Sequence, residues 1–340
     1  MEPHPLVHPV RIDSRGKEGP TRGQAAGPRW RQSSHGLYVP ADVDPSSPRQ
    51  RVAEQAARLG PAGAVTGWAA LLLLGGDFFD GLERDGRTRR PVALVDPGRH
   101  LRPSVESAPR RDRLAEDERT RRHGISCTTP ERALFDEMRA LPLRDAVVAC
   151  DMAAHAELTS IARMTAFLAA HRGWDGSPVV DSALLLASEH SRSRPETDMR
   201  LVWEVDAGFG RPLCNRPVFS RGGLLLGVPD LLDPRLGVVG EYDGADHRQD
   251  DRRFRDLGRE QAFREHGLEC FTLVGGDLQD RERAVARMRA TRERALATEW
   301  LRPDDWTLEP PPGWHHFHDE ILLDHRLDAR DLARLDREAG

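Results

Sequence analysis

The chain predicts an α/β fold: a mixed sheet flanked by helices in its C-terminal half, and an α+β arrangement in its N-terminal part. Three observations predict it. Two short apolar runs, Leu224–Leu232 and Leu236–Tyr242, flank the turn residues Asp233-Pro234, which is the pattern of paired strands. From residue 191 onward the signals come in the order helix, three strands, helix, strand, helix. In the segments Leu143–Ala156, Ser160–His171 and Val180–His190 the apolar residues recur at about the 3.6-residue helical period.

Taken in order, residues 1–35 are rich in Pro, Gly, Arg and Ser without apolar periodicity, and are expected to form a disordered basic arm. Arg29–Pro40, RWRQSSHGLYVP, reads as a short strand or hairpin, and Pro48–Leu59 as a helix. In Ala64–Gly76, AVTGWAALLLLGG, the Ala/Leu run after Thr66 predicts a buried helix closed by Gly75-Gly76. A strand is expected at Pro91–Asp96. The stretch Arg99–Arg122 alternates arginines with acids, and predicts a solvated loop or sheet edge, with a phosphate-facing patch as the alternative. Thr129-Pro130-Glu131 opens a helix to about Ala140, with Thr as N-cap, Pro at the first position and an acid in the first turn. With the three periodic segments, this makes residues 36–190 a mostly helical domain.

The C-terminal domain, residues 191–299, starts with a helix capped by Ser193-Arg194-Pro195-Glu196. Strands are expected at Leu213–Ser220, Leu224–Leu232 and Leu236–Tyr242, with Arg221-Gly222-Gly223 as a hairpin turn. A polar helix of about Asp251–His266, the strand Leu268–Val274 and a helix of about Asp280–Thr298 follow. Residues 300–340 read as a Pro-rich linker closed by a short polar helix, about Asp328–Glu338.

Composition narrows the function. The 340 residues carry a net charge of −5 with 31% charged and 6% aromatic residues, so any nucleic-acid contact must use local clusters of arginine. Lys17 is the only lysine. The four cysteines, Cys127, Cys150, Cys214 and Cys270, form no CxxC pair, which favours buried thiols over a zinc site. No apolar run is long enough for a membrane span, and MEPHPLVHPVRIDSRGKEG lacks a signal-peptide core, so a soluble cytoplasmic protein without a membrane partner is expected.

The chemistry concentrates in Gly227–His247. Asp230 and Glu241 stand near the ends of the two apolar strands, where a carboxylate is costly to bury without a cation or donors. Two acids at the ends of neighbouring strands point at one spot, as Mg²⁺ requires, since it takes one or two carboxylates and fills its other positions with water and phosphate oxygens. Pro229-Asp230, Glu241-Tyr242-Asp243 and His247 together resemble the active-site run of the PD-(D/E)XK, or restriction-endonuclease-like, superfamily, most nearly its very-short-patch-repair branch. The likeness covers about residues 190–297. It implies a restriction-endonuclease-like core and a metal-dependent hydrolase of phosphodiester bonds, acting on DNA in defence or repair, with Mg²⁺ or Mn²⁺ on Asp230 and Glu241.

Glu196 matches that family's additional acid; its alternative role is a first-turn acid favoured by the helix dipole. Asp243 occupies the position of the motif lysine, so it serves either as a metal ligand or leaves the proton-accepting role to His247, whose ordinary pKa of about 6.5 suits a general base. Arg248, Arg259 and Gln261 are the candidates for nucleic-acid contact, the last two by match to the family's helix pattern. Arg252, Arg255 and Arg259 share one helix face with interleaved acids, which also fits an ion-paired, solvated surface.

The N-terminal region, through RWRQSSHGLYVP, TGWAAL and TTPERALFD, resembles AbiEi-type antitoxin modules of actinobacterial proteins that pair them with a nuclease-like domain. That likeness implies the remnant of a winged helix, whose upstream helices Gly16, Gly19, Pro20, Gly23, Gly27 and Pro28 would break. It also supplies the alternative function, a non-catalytic antitoxin-like DNA-binding transcriptional regulator on a nuclease-fold scaffold, with a toxin or a second copy as partner. His315, His316 and His318 lie in the Pro-rich tail without metal-binding geometry.

Overall fold

The computed structural model describes residues 6–244, 250–298, 305–314 and 323–339. It is mixed α/β and divides into two compact units, Met1–Ala149 with Ala156–Asp181, and Cys150–His155 with Ser182–Gly340. The division precedes the expected boundary at residue 190. Asp151 explains part of this: its carboxylate accepts from Ser188 N, Thr197 Oγ1 and Arg200 Nη2, which ties residues 150–155 to the C-terminal unit.

In the first unit, residues 6–35 are structured where composition suggested disorder. Val10 bridges Tyr38 through two backbone hydrogen bonds, and Gln50 clasps both the N–H and the carbonyl of Val7. The four-residue helix α1 (Arg22–Ala25) is closed by a capping box between Thr21 and Gln24. Backbone and amide pairing hold this segment, and these leave no apolar period to read. The strands β1 (Trp30–Ser34) and β2 (Leu37–Pro40) form the anticipated hairpin. Among the described residues α1 is the only helix ahead of it, so no helix-turn-helix stands there.

Helix α2 (Pro48–Ala56) leads to β3 (Ala64–Val65) and α3 (Gly67–Leu74). All but the last residue of α3 are buried, and Gly75, at φ 114°, ends it in the left-handed conformation that glycine adopts most readily. The strands β4 (Val92–Val95), β5 (Ser107–Arg110), β6 (Arg119–Arg122) and β7 (Ile125–Thr128) complete a five-stranded sheet in the order β5-β4-β3-β7-β6. A mostly helical domain is thus corrected to a mixed one. Its two edge strands come from the Arg-rich stretch, because an edge needs only one hydrogen-bonded neighbour and tolerates charge on its free side. The helices α4 (Pro130–Met138), α5 (Leu143–His155), α6 (Ile161–Ala170) and α7 (Ser177–Leu186) follow.

The second unit opens with α8 (Arg194–Leu201), capped by Ser193 and continued by a π-turn at Val202–Asp206. Its central sheet is β10-β11-β12, formed by β10 (Leu231–Asp233), β11 (Val238–Asp243) and β12 (Glu269–Val274). β10 and β11 are antiparallel, β11 and β12 parallel. A second sheet joins β8 (Val218–Ser220) to β9 (Leu225–Gly227) and to β13 (Trp306–Thr307). The single strand expected over Leu224–Leu232 is therefore two strands in two sheets. Val228-Pro229 separates them, since proline has no N–H for a ladder. The expected linker after residue 300 likewise contributes a strand, β13.

The central sheet is covered on both faces. Met199, Trp203, Leu231, Val238, Phe271 and Leu273 pack with Ala284 and Met288 of α10 (Arg281–Thr298). On the other face Leu232, Val239 and Cys270 pack with Val218, Leu226 and Phe263, the last from α9 (Asp250–Glu265). This alternation follows from the two-residue strand period. Helix α11 (Leu323–Ala339) seats Leu323 and Leu327 against Ala154. Among the described residues no helix is long and apolar enough to cross a membrane.

Candidate active site

Asp233 builds the turn that sets the register. Its Oδ1 accepts from Arg235 N and Leu236 N, and its carbonyl from Gly237 N. The hairpin then pairs Leu232 with Val239 and Leu231 with Gly240. Asp230 lies in the bend just ahead of Leu231, where this pairing ends. Because Val239 faces α9, the two-residue period of β11 directs Glu241 to that same face.

Asp230 sits just before β10 and is largely buried. Its Oδ2 accepts from Tyr242 N at 2.7 Å. Burial pushes its pKa up to about 6 and the charge on Glu196 adds to the rise, while the Tyr242 N–H, Arg259 and Arg192 oppose it. Glu241, on β11, pairs with Arg259 of α9 at 3.1 Å. Gly227 makes room for that arginine. A Cβ at position 227 would lie 2.7 Å from Phe263 Cζ and 2.9 Å from Arg259 Cδ.

Glu196 is committed to capping. Its Oε1 accepts from Ser193 Oγ, and its Oε2 from Arg192 N and Asn215 Nδ2 at 2.8 and 2.7 Å. It nevertheless contributes negative charge at Asp230. Asn215 holds a left-handed backbone, φ 50°, and its amide also donates to His190 O. Sequence reasoning passed over Asn215 and Arg192, whose roles depend on contacts distant along the chain. Asp243 is the exposed last residue of β11, on the Glu241 face by alternation. Gln261 is exposed and donates to Glu265 at 2.7 Å, one turn along α9. His247, Arg248 and the histidines at 315, 316 and 318 lie outside the described residues.

Whether these groups suit a divalent cation is a question of donor chemistry. Among the described residues no group of three or more His, Cys, Asp or Glu side chains is placed to hold a metal. Two carboxylates are sufficient for Mg²⁺ when water and phosphate supply the rest. A largely buried carboxyl shifted to about 6 is one whose anion lacks full compensation, and a hard cation would compensate it. The four cysteines are buried, and burial raises the thiol pKa of each, so none is a nucleophile at neutral pH. Comparison with known protein families, with curated proteins and with solved structures finds no match for this chain.

Proposed function

We propose that the C-terminal unit is a metal-dependent DNA endonuclease with a restriction-endonuclease-like core. The observation that carries this reading is that Asp230 and Glu241 meet one cation at one end of β11: Asp230 Oδ2 accepts from Tyr242 N, next to Glu241, while Arg259 pairs with Glu241 at 3.1 Å and opposes the pKa rise of Asp230. The element order supports it, with α8, three strands, α9, β12 and α10 in sequence. Mg²⁺ or Mn²⁺ would be held by Asp230 and Glu241 and would supply charge neutralisation at the phosphate.

The remaining work falls to side chains of this chain. Arg259, partly exposed and beside Glu241, would hold a nonbridging phosphate oxygen and so supply a cation where Asp243, at the motif lysine's position, supplies none. The Ser193–Glu196–Asn215 cap fixes the start of α8 beside Asp230, so Glu196 acts by position and charge. Asp243, exposed at the strand end, is available to order water. His247 is the proton acceptor on the family pattern.

Supercoiled plasmid with Mg²⁺ or Mn²⁺ tests the reading. Nicking is expected from the full chain, falling about 100-fold or more in Asp230→Asn and in Glu241→Gln. Tight DNA binding without cleavage in either metal would instead make the chain an antitoxin-like regulator.

A further inference from the structure

Away from the acids of the second unit, the first unit has a half-open cavity of about 200 Å³ lined by Asp112, Arg113, Arg132, Arg139, Trp174 and Asp175. That is room for several waters or one small organic ion. Its wall is built around Arg132, whose side chain has no solvent exposure. Arg132 Nε donates to Asp136 at 2.9 Å, and Nη1 to Glu118 and to Arg113 O at 3.0 Å. Its guanidinium lies 4.5 Å from the centre of the Trp174 ring.

Two donors remain. Arg132 Nη2 and Arg139 Nε are buried and meet no acceptor among the described residues. Both belong to side chains that line the cavity, and the Arg139 side chain is only 4% exposed. A buried donor left unmatched costs about 1–3 kcal/mol, and more when charged. The acids of the lining do not discharge this debt. Asp112 turns to Arg139 Nη2 and to Arg110 Nε, and Asp175 to Arg110 Nη2 at 3.6 Å. The lining carries three guanidinium groups and two carboxylates, and behind it Glu118 and Asp136 pair with Arg132 and Asp136 also with Arg139 Nη2 at 2.6 Å, so the cavity offers N–H donors rather than an excess of positive charge.

Packing keeps the pair of arginines in place. Gly176 presses against Arg139 so closely that a Cβ there would lie 2.4 Å from Arg139 Cβ. Trp174 is wedged by Phe135, Phe167 and His171, with ring centres between 4.2 and 6.1 Å away. Arg31, Arg51 and Arg200 also keep a buried Nε without an acceptor, so the distinctive donor here is Arg132 Nη2, a terminal guanidinium nitrogen of a side chain that lines the cavity. Guanidinium forks fit planar or tetrahedral oxyanions.

We propose that this cavity is an oxyanion site for a small carboxylate or phosphate ester, whose oxygens accept from Arg132 Nη2 and Arg139 Nε while exposed Arg113 closes the rim. The site is independent of the hydrolytic reading of the other unit.

Calorimetric titration of the full chain with inorganic phosphate, and separately with acetate, at one ionic strength, tests it. Saturable binding of at least one is expected, and which one binds tells phosphate from carboxylate. Arg113→Gln should weaken that binding about five-fold, as loss of an exposed ionic contact does, and Asp175→Asn should strengthen it. Arg132→Lys should abolish it; should that variant fail to fold, the two rim variants, whose side chains lie at the margin, still decide. No saturable binding of either ion, which would make the cavity a hydrated void, overturns the proposal. So does binding that Arg113→Gln leaves unchanged, which would place the ion elsewhere.

Discussion

Replacing Asp230 by asparagine should stabilise the second unit, by an amount that depends on pH. The Asp230 carboxyl titrates at about 6 in the fold against an ordinary 3.8, chiefly because it is buried. A displacement of about 2 pK units corresponds to about 3 kcal/mol. Below pH about 4 folded and unfolded chains both hold the proton, and the site costs nothing. Between about 4 and about 6 the folded chain keeps a proton that the unfolded chain has released, so stability falls as pH rises. Above about 6 the whole penalty is present. Asparagine removes the charge yet retains an oxygen to accept from Tyr242 N. At pH 7.5 in EDTA the variant is therefore expected to be about 3 kcal/mol more stable, and near pH 4 equal to the parent. Hydrogen exchange in peptides from β10 to β12 is the suitable readout, because unfolding of a two-unit chain is not a single equilibrium. Added Mg²⁺ should narrow the gap by stabilising only the parent. A variant no more stable than the parent at pH 7.5, or an advantage that does not change with pH, would refute the reasoning.

Gly240→Ala should destabilise the same unit by about 1–3 kcal/mol in urea, because the new Cβ would lie 2.3 Å from Phe271 Cζ in a packed core. Gly227→Ala should displace Arg259 and lower nicking in the plasmid assay, while Mg²⁺ binding, measured by calorimetry, is kept. Arg200→Met should cost about 3–5 kcal/mol, since it leaves the buried Asp151 without its counter-charge; adding Asp151→Asn should recover much of that loss in a double-mutant cycle.

What could be read from the sequence was local. Thr66 with Gly75, Ser193 with Glu196, and the Asp233-Pro234 turn each declare themselves within a few residues, and the structure forms α3, α8 and the β10–β11 hairpin at these places. Three features escaped because their cause is distant. β5 and β6 are strands only because β4 and β7 offer them a partner; their own residues, SAPR and RTRR, carry little strand preference. β9 and β10 part at Val228-Pro229 and enter different sheets because their partners, β8 and β11, lie elsewhere along the chain. The segment 6–35 is held by Gln50 and Tyr38, and composition contains no trace of such clasps.

At the site itself, the sequence put Asp230 and Glu241 near the ends of neighbouring strands, but nothing local pointed to Arg259 as the partner of Glu241 or to Asn215 as the support of Glu196. The energetics then separate two accounts of this cluster. Were it built for stability, its ionic contact would have to outweigh the cost of the buried acid. A half-exposed pair such as Arg259–Glu241 contributes about 1 kcal/mol at most, whereas the charge on Asp230 costs about 3 kcal/mol at neutral pH. The cluster is a net loss to the fold as it stands, and the loss falls on a carboxylate whose charge is further opposed by Glu196. A cation that met the Asp230 carboxylate would offset this deficit, which is why Mg²⁺ is expected to narrow the stability gap between the parent and Asp230→Asn.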